Sequence, residues 1–310
     1  MKTKITSAKF ISYQDMSQSA KNWQHHCAYR LLPNAFHGEH SVIELPNMQL
    51  SYSSRKGGFM HDCIPPCNSI SIAVIQECSD RACFDRFKLS KGMVLFFDDS
   101  KAFNYMSKGY IRVAIISIPK YIYKNYDFEL SLLLGSYLMD KNYTILTLLE
   151  SIKDNSKDIE DNIVDILGNL IQREPLQTPK LTKGEEIALS IRNQVYHHMD
   201  GKINIKNFAL QYNISEQTLQ NSFKSLFGFT PKRFLQLLKL NLVHHDLQKS
   251  DPKEYTVTRV ALKWGFSHMG RFSQEYTKLF RENPSQTLKS LEYIRGNMIQ
   301  SCTSRKEEIE

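Results

Sequence analysis

The strongest constraint on the fold is an internal duplication in the last third of the chain. Ala209-Leu210 and Ile214-Ser215 recur as Ala261-Leu262 and Phe266-Ser267, and Phe223, Phe227 and Pro231 recur as Tyr276, Phe280 and Pro284. Each copy predicts a short apolar helix, a tight turn, a Ser N-cap and a second amphipathic helix, which is the plan of a helix-turn-helix. Two copies predict that one polypeptide reads two adjacent major-groove segments of double-stranded DNA.

The distribution of charge favours the same partner. The chain has 310 residues and a net charge of +8. Residues 200–295 hold 15 Lys and Arg against 8 Asp and Glu, so the duplicated segment carries nearly all of the excess. A local basic excess is typical of a surface that neutralises phosphates, although a solvated basic face has the same composition.

The helices of this segment follow from apolar spacing and turn residues. An opening helix is expected over residues 182–199, where Ile187, Ile191 and Val195 recur at intervals of four. The first supporting helix is expected over residues 205–212 and a long bridging helix over 232–249. Residues 260–263 predict the second supporting helix, and the second recognition helix is expected to start near Ser267.

Solvent-facing positions on the two recognition helices supply the candidate site. In the first helix, Gln217, Gln220 and Asn221 carry amides that suit the adenine edge, while an ordinary solvated face is the alternative. In the second, Met269 suits a thymine methyl group and Arg271 a phosphate or guanine. Gly270 lowers helix propensity and so indicates close approach to a groove wall. The candidate DNA-binding residues are Ser215, Gln217, Gln220, Asn221, Lys224, His268, Met269, Gly270, Arg271, Ser273 and Gln274.

The first half has a different pattern, which predicts an α+β protein overall. Short β-rich runs are separated by turn residues between about positions 28 and 119, as in a sandwich or small barrel with a lumen. The predicted strands are 41–45, 48–51, 69–76, 93–97 and 111–118. Helices are expected over 121–149 and 158–172, the second with an apolar stripe that either covers the barrel or pairs with a second subunit in a homodimer.

These patterns divide the chain into four parts. Residues 1–172 form a β-rich domain, in which the aromatic runs around Phe59, Phe84, Phe87, Phe96 and Phe97 either line an effector pocket or simply fill the core. Residues 173–182 form a Pro-interrupted linker, 183–295 the all-α DNA-binding domain, and 296–310 a flexible tail.

The sequence gives little support for a secreted protein, a membrane protein, a metalloprotein or an enzyme. No apolar run suggests a signal peptide or membrane span, so a cytoplasmic location is expected. Neither Cys63-x3-Cys67 nor His37-x2-His40-x3-Glu44 has the usual spacing of a metal site, and we expect no metal, no cofactor and no enzymatic activity. Two alternatives stay open: a cupin-type metal sensor or enzyme with a DNA-binding tail, and an architectural DNA binder with an inert first half.

The two helix-turn-helix copies resemble the AraC/XylS family of bacterial transcription regulators over about residues 183–292. Within that family, residues 218–223 and 264–272 are most similar to the ethanolamine-utilisation regulators. The resemblance implies a seven-helix DNA-binding domain and, over residues 1–172, a cupin-like regulatory domain that binds a small effector or dimerises. It also implies activation of transcription with RNA polymerase as partner. It also implies a small polar effector such as an amine. Arg281 departs from the family, in which most members have Gly at this position.

Overall fold

The computed structural model describes residues 5–19, 23–79, 82–100, 102–123, 130–152, 159–197 and 205–290. The strands are β1 (Ile5–Phe10), β2 (Gln24–Arg30), β3 (His37–Glu44), β4 (Gln49–Lys56), β5 (Phe59–Ile64), β6 (Ser69–Cys78), β7 (Cys83–Phe84), β8 (Phe87–Lys88), β9 (Met93–Asp98), β10 (Phe103–Ser107), β11 (Tyr110–Pro119) and β12 (Tyr137–Met139). The helices are α1 (Tyr13–Ser19), α2 (Lys120–Tyr123), α3 (Thr144–Ser151), α4 (Ile159–Arg173), α5 (Lys183–His197), α6 (Ile205–Gln211), α7 (Glu216–Phe227), α8 (Pro231–Lys249), α9 (Val257–Lys263) and α10 (Met269–Phe280). Residues 284–290 are also helical.

The strands form two sheets in the β-rich half of the chain, which we define as the described residues up to 173. The larger sheet has the order β1-β3-β4-β11-β6-β9-β12, and the smaller one β2-β5-β10-β7-β8. The strand pairs within both sheets are antiparallel. This arrangement confirms the predicted β-rich domain.

The larger sheet is covered on both faces, which explains why β6 has buried apolar residues at successive positions from Ile72 to Ile75. In β6, Ile72 and Val74 pack in one cluster with α3 and α4, whereas Ala73 and Ile75 pack in another with the smaller sheet. Because side chains alternate along a strand, burial of both faces requires apolar residues at successive positions. The stripe of α4, which includes the buried Ile163, therefore covers the sheet within the same chain.

The five predicted strands correspond to β3, β4, β6, β9 and β11, each of which is longer than predicted. The sequence patterns missed β1, α1, β2, β5, β7, β8, β10 and β12. Of these, β5 carries His61 and Asp62 at buried positions, so it lacks the apolar alternation that identifies a half-buried strand.

The single helix predicted over 121–149 is wrong. The chain instead forms the short helix α2, a 3-10 turn at Leu130–Leu133, the strand β12 and the helix α3, while residues 124–129 lie outside the described residues. Gly135 has a positive φ of 78°, which breaks the helix, and β12 pairs with β9. Tertiary pairing has thus overridden a helix-like local pattern. The other predicted helix corresponds to α4, although Asp158 lies outside the described residues.

The helical half, residues 183–290, follows the predicted order of helices more closely. The opening helix is α5, in which Ile187, Ile191 and Val195 are buried as expected; the predicted end at Met199 lies outside the described residues. Helix α9 begins at Val257, three residues before the predicted start, because the Thr256 side chain caps it by accepting from the Arg259 N–H. The predicted tail beyond residue 295 lies outside the described residues.

The linker is bound to the β-rich half through the backbone of Gln177. The backbone N–H and C=O of Gln177 exchange hydrogen bonds of 2.9 Å with those of Tyr137, so the linker adds a bridge to β12. Across the ranges that the structure describes, no helix is both long and apolar enough to cross a membrane.

Candidate nucleic-acid interface

The first helix-turn-helix unit consists of α6 and α7. Between them Asn213 takes a left-handed conformation (φ 50°), and the Ile214 N–H bonds back to the Ala209 carbonyl at 3.0 Å. Ser215 is the N-cap of α7, and its hydroxyl accepts from the Thr218 N–H at 3.0 Å, as predicted. The predicted inward residues are all buried: Leu219, Phe223, Leu226 and Phe227.

The outer face of α7 presents amide and basic side chains to solvent. Gln217, Asn221 and Lys224 are exposed, and the Gln217 amide donates to the Asn221 carbonyl oxygen at 2.9 Å. This bond orients the two amides as a pair one helical turn apart. Gln220, which was predicted to face outward, is half-buried, so it offers less of its amide to a groove.

The second unit consists of α9 and α10. Its recognition helix begins at Met269 with His268 as the N-cap, and no side chain caps it. The predicted Ser N-cap is therefore wrong for this copy, because Ser267 lies one residue too early. Of the predicted contact residues, His268, Gly270, Arg271 and Gln274 are exposed, whereas Met269 and Ser273 are half-buried and Met269 packs against the core.

Gly270 has no packing role among the residues that the structure describes. A Cβ built at this position meets no atom within 4 Å, and the residue lies in the regular helix α10. The fold therefore places no steric demand for glycine here. Glycine at this position would allow the surface of another molecule to approach the helix closely.

Arg281, where the family resemblance implies glycine, takes the left-handed conformation. Its φ is 66°, and its N–H caps α10 by bonding to the Thr277 carbonyl at 2.9 Å. Its side-chain Nε also donates to the Pro33 carbonyl of the β-rich half at 3.2 Å. The usual helix end is thus kept without glycine, and the side chain gains a contact that glycine could not make.

The long helix α8 bridges the two units, as predicted. Its 19 residues span about 28 Å. Asp246 on α8 accepts from the Trp264 indole at 2.9 Å and from Lys263 at 2.8 Å, and Arg233 pairs with Glu275 of α10 at 2.6 Å. These bonds fix the second unit against α8.

Contacts between the two halves centre on Asn241, which sequence reasoning missed. Its side chain accepts from the Arg30 N–H at 2.6 Å and donates to the Arg30 carbonyl at 2.8 Å. Asn241 thus binds the backbone of β2 from a buried position on α8. The signal was present in the sequence as an amide between two leucines, Leu240 and Leu242, of that helix.

Polar contacts from the β-rich half also reach the first unit. Lys88 of β8 donates to Glu185 of α5 at 2.8 Å, and Ser225 of α7 donates to the same oxygen at 2.7 Å. Burial opposes ionisation of Glu185, but these bonds and one from the Thr182 N–H outweigh it and lower its pKa to about 2. Arg192 is buried and donates to Asn104 of β10 at 3.0 Å.

Two cavities accompany these contacts. One of about 710 Å³ lies between the halves and includes Phe36, Phe59, Asn241 and Phe280 in its lining. Another of about 280 Å³ lies within the β-rich half, lined by aromatic and charged side chains that include Phe84, Asp85, Arg86, Phe87, Phe96, Phe97 and Asp98. Four of the five predicted aromatics therefore line one cavity, and Phe59 lines the other.

The histidine and cysteine residues of the candidate metal motifs do not come together at one site. His37, His40 and Glu44 all lie on β3, where the odd spacing of His37 and His40 places them on opposite faces. Cys63 and Cys83 are buried and Cys67 is exposed. Within the described ranges, no three His, Cys, Asp or Glu side chains are grouped closely enough to hold a metal ion.

Comparison with known proteins supports the interpretation of the helical half. Residues 208–290 match the model of a helix-turn-helix domain family. A probable thc operon regulatory protein from Rhodococcus erythropolis is 32% identical over 96 residues, covering 31% of this chain and 29% of that protein. The XylDLEGF operon transcriptional activator from Pseudomonas putida is 28% identical over 131 residues, covering 42% of this chain and 39% of that protein. The chain thus spans between a quarter and two fifths of these curated relatives.

Solved structures of regulators are also similar. A probable AraC family transcriptional regulator from Rhodopseudomonas palustris is 27% identical with a TM-score of 0.32, covering 34% of this chain and 96% of that one. The AraC-like transcriptional activator CuxR is 11% identical with a TM-score of 0.43, covering 71% of this chain and 89% of that one. The domain match and the two units described above agree that residues 208–290 of the helical half form a helix-turn-helix domain.

Proposed function

We propose that this protein is a cytoplasmic, sequence-specific DNA-binding transcription regulator that activates transcription together with RNA polymerase. One observation carries the proposal. The single helix α8 joins two helix-turn-helix units, and each unit presents amide or basic side chains to solvent. The resemblance to regulators that include a named operon activator supports activation rather than repression.

The exposed residues have different roles in this proposal. Gln217 and Asn221 read base edges, because paired amides match the donor and acceptor groups of adenine in the major groove. Lys224 and Arg271 bind phosphates and set the position of the helices on the duplex. The half-buried Gln220, Met269 and Ser273 contribute at the edges of the interface, beside Ser215, His268, Gly270 and Gln274.

Selection from a random DNA pool with the full-length protein tests the proposal. We expect a recurring motif with two elements, and we expect Asn221→Ala to lose enrichment at positions of one element only. Asn169→Ala is the matched control, since Asn169 is an exposed amide on α4 of the β-rich half. If no motif is enriched in the selected DNA, the result would favour the alternative of an architectural protein that binds DNA without sequence specificity.

We also propose that the effector is a small amine, held in the 280 Å³ cavity of the β-rich half. The resemblance to ethanolamine regulators motivates this class, and the aromatic faces that line this cavity suit an ammonium group. Ethanolamine should then raise the Tm of the wild type and raise it less in Phe97→Ala. An unchanged Tm in the wild type at high ethanolamine concentrations would refute the amine.

A further inference from the structure

The β-rich half contacts the C-terminal ends of both recognition helices. At the end of α7, the Lys108 Nζ donates to the Gly228 carbonyl at 2.8 Å and lies 3.8 Å from the centre of the Phe229 ring. A cation is favoured at this end of a helix, because the last carbonyl groups lack partners within the helix and carry partial negative charge. Lys108 therefore binds the end of the first recognition helix from the β-rich half.

The end of α10 is bound by the same half at the equivalent position. Arg281 stands where Gly228 stands in the first copy, and both residues are left-handed, with φ of 66° and 67°. The Arg281 Nε donates to the Pro33 carbonyl at 3.2 Å. In the other direction, the Arg30 Nη1 lies 3.5 Å from the Phe280 carbonyl. The two copies of the duplication are thus held at matching points.

The two contact points belong to one continuous structure in the β-rich half. Lys108 and Gly109 connect β10 to β11, and the Gly109 carbonyl accepts from the Gly57 N–H at 2.7 Å. The carbonyl of the next residue, Gly58, accepts from the Leu31 N–H at 2.8 Å. The segments joined in this way, which we call the brace, are residues 31–34, 57–58 and 108–109. Backbone hydrogen bonds therefore connect the attachment points of α7 and α10.

These contacts leave the side chains proposed to read DNA exposed. Gln217 and Asn221 lie in the first two turns of α7, and Arg271 lies in the first turn of α10. The brace contacts the opposite, C-terminal end of each helix. The β-rich half can therefore hold both helices while they occupy the major groove.

We propose that the brace, together with α8, sets the separation and relative orientation of the two recognition helices, so that Lys108 and Arg281 are positioning residues for DNA binding. This inference rests on the proposed function, because it concerns a DNA site that both units read. One extra base pair between two DNA elements moves the second by about 3.4 Å along the axis and about 35° around it. Recognition helices held in this way should therefore discriminate between spacings that differ by one base pair.

Hydrogen–deuterium exchange of the full-length protein without DNA tests the brace itself. Lys108→Met keeps an aliphatic chain over the Phe229 ring but removes the donor, and Arg281→Gly keeps the left-handed helix end, which glycine favours. In the double variant, amides in the last turns of α7 and α10 should exchange about three- to tenfold faster than in the wild type. Arg112→Met, which removes an exposed cation of β11, should leave exchange in both turns unchanged.

DNA titration then measures the effect of the brace on spacing. Starting from the selected DNA site, one base pair is added or removed between the two elements. The wild type should bind these two duplexes at least about tenfold more weakly than the selected one, and the double variant less than about threefold more weakly. Removal of two positive charges weakens binding to all three duplexes alike, so the ratio of their affinities reports positioning alone.

Unchanged exchange in the double variant would overturn the brace, and so would a spacing preference equal to that of the wild type. If the wild type selects two elements but binds all three spacings alike, this inference is wrong while the proposed function stands. A selection that yields no two-element motif would contradict the proposed function and the spacing role with it. The exchange measurement needs no DNA, so it reports on the brace separately.

Discussion

Replacing Asn241 should uncouple the two halves of the molecule. Asn241→Leu keeps the size of the side chain but leaves the N–H and C=O of Arg30 without partners. Each unsatisfied buried group costs about 1–3 kcal/mol. Because the neighbouring 710 Å³ cavity can admit water to these groups, we take the lower part of that range, about 2–3 kcal/mol in total.

The chain offers a direct assay, since it has two Trp residues and one lies in each half. Trp23→Phe leaves Trp264 as the reporter of the helical half, and Trp264→Phe leaves Trp23 as the reporter of the β-rich half. In the wild-type background the two fluorescence transitions in urea should coincide. In the Asn241→Leu background they should separate, with the less stable half shifted by about 1 M.

His245→Ala is the matched control, because His245 is exposed on the same helix and should change stability by no more than about 0.5 kcal/mol. Coincident transitions in the Asn241→Leu background, with a shift no larger than that of the control, would refute the coupling. Separate transitions in the wild type would refute it as well.

Three further predictions concern the interface and the contact between the halves. Lys224→Ala and Arg271→Ala should each weaken binding to all DNA sequences alike and lower by about one the slope of log affinity against log salt concentration. Asn221→Ala should instead cost about 1–3 kcal/mol of binding free energy on the selected site only. Equal losses on selected and random DNA for Asn221→Ala would contradict base readout. Gly270→Ala should raise the Tm, since alanine favours a helix over glycine by up to about 1 kcal/mol. The same change should weaken DNA binding in a mobility-shift titration. Unchanged affinity would show that Gly270 is not needed for close approach to DNA. Because the pKa of Glu185 is lowered, its stabilising effect is present above about pH 4.5 and is lost as pH falls toward 2. The Tm of Glu185→Gln should therefore depend less on pH across this window than the Tm of the wild type. Parallel curves of Tm against pH for the two proteins would contradict this prediction.

The sequence predicted the helical half well because its signals are local. Ser215 marks the start of a helix by its own hydrogen bond, and Pro231 opens the next one, so neither depends on distant contacts. The strand β12 could not be found in this way, since its pairing with β9 joins segments about forty residues apart. The role of Asn241 was equally hidden, because its partner lies 211 residues away.

The candidate site itself could be predicted only in part. The exposure of Gln217, Asn221 and Arg271 follows from helical spacing and is observed. Gln220 and Met269 are more buried than predicted, because their positions lie at the border between the inner and outer faces, where the packing of neighbouring helices decides exposure. The roles of all these residues toward DNA remain predictions.

Hydroxyl-radical footprinting on the selected DNA tests the central claim most directly. Because α8 holds the two units rigidly, we expect two protected segments about 10 bp apart on one face of the duplex. Insertion of about 5 bp between the segments should place them on opposite faces and abolish protection of one of them. Protection of a single groove segment, or affinity that is unaffected by the insertion, would contradict the claim that both units read DNA together.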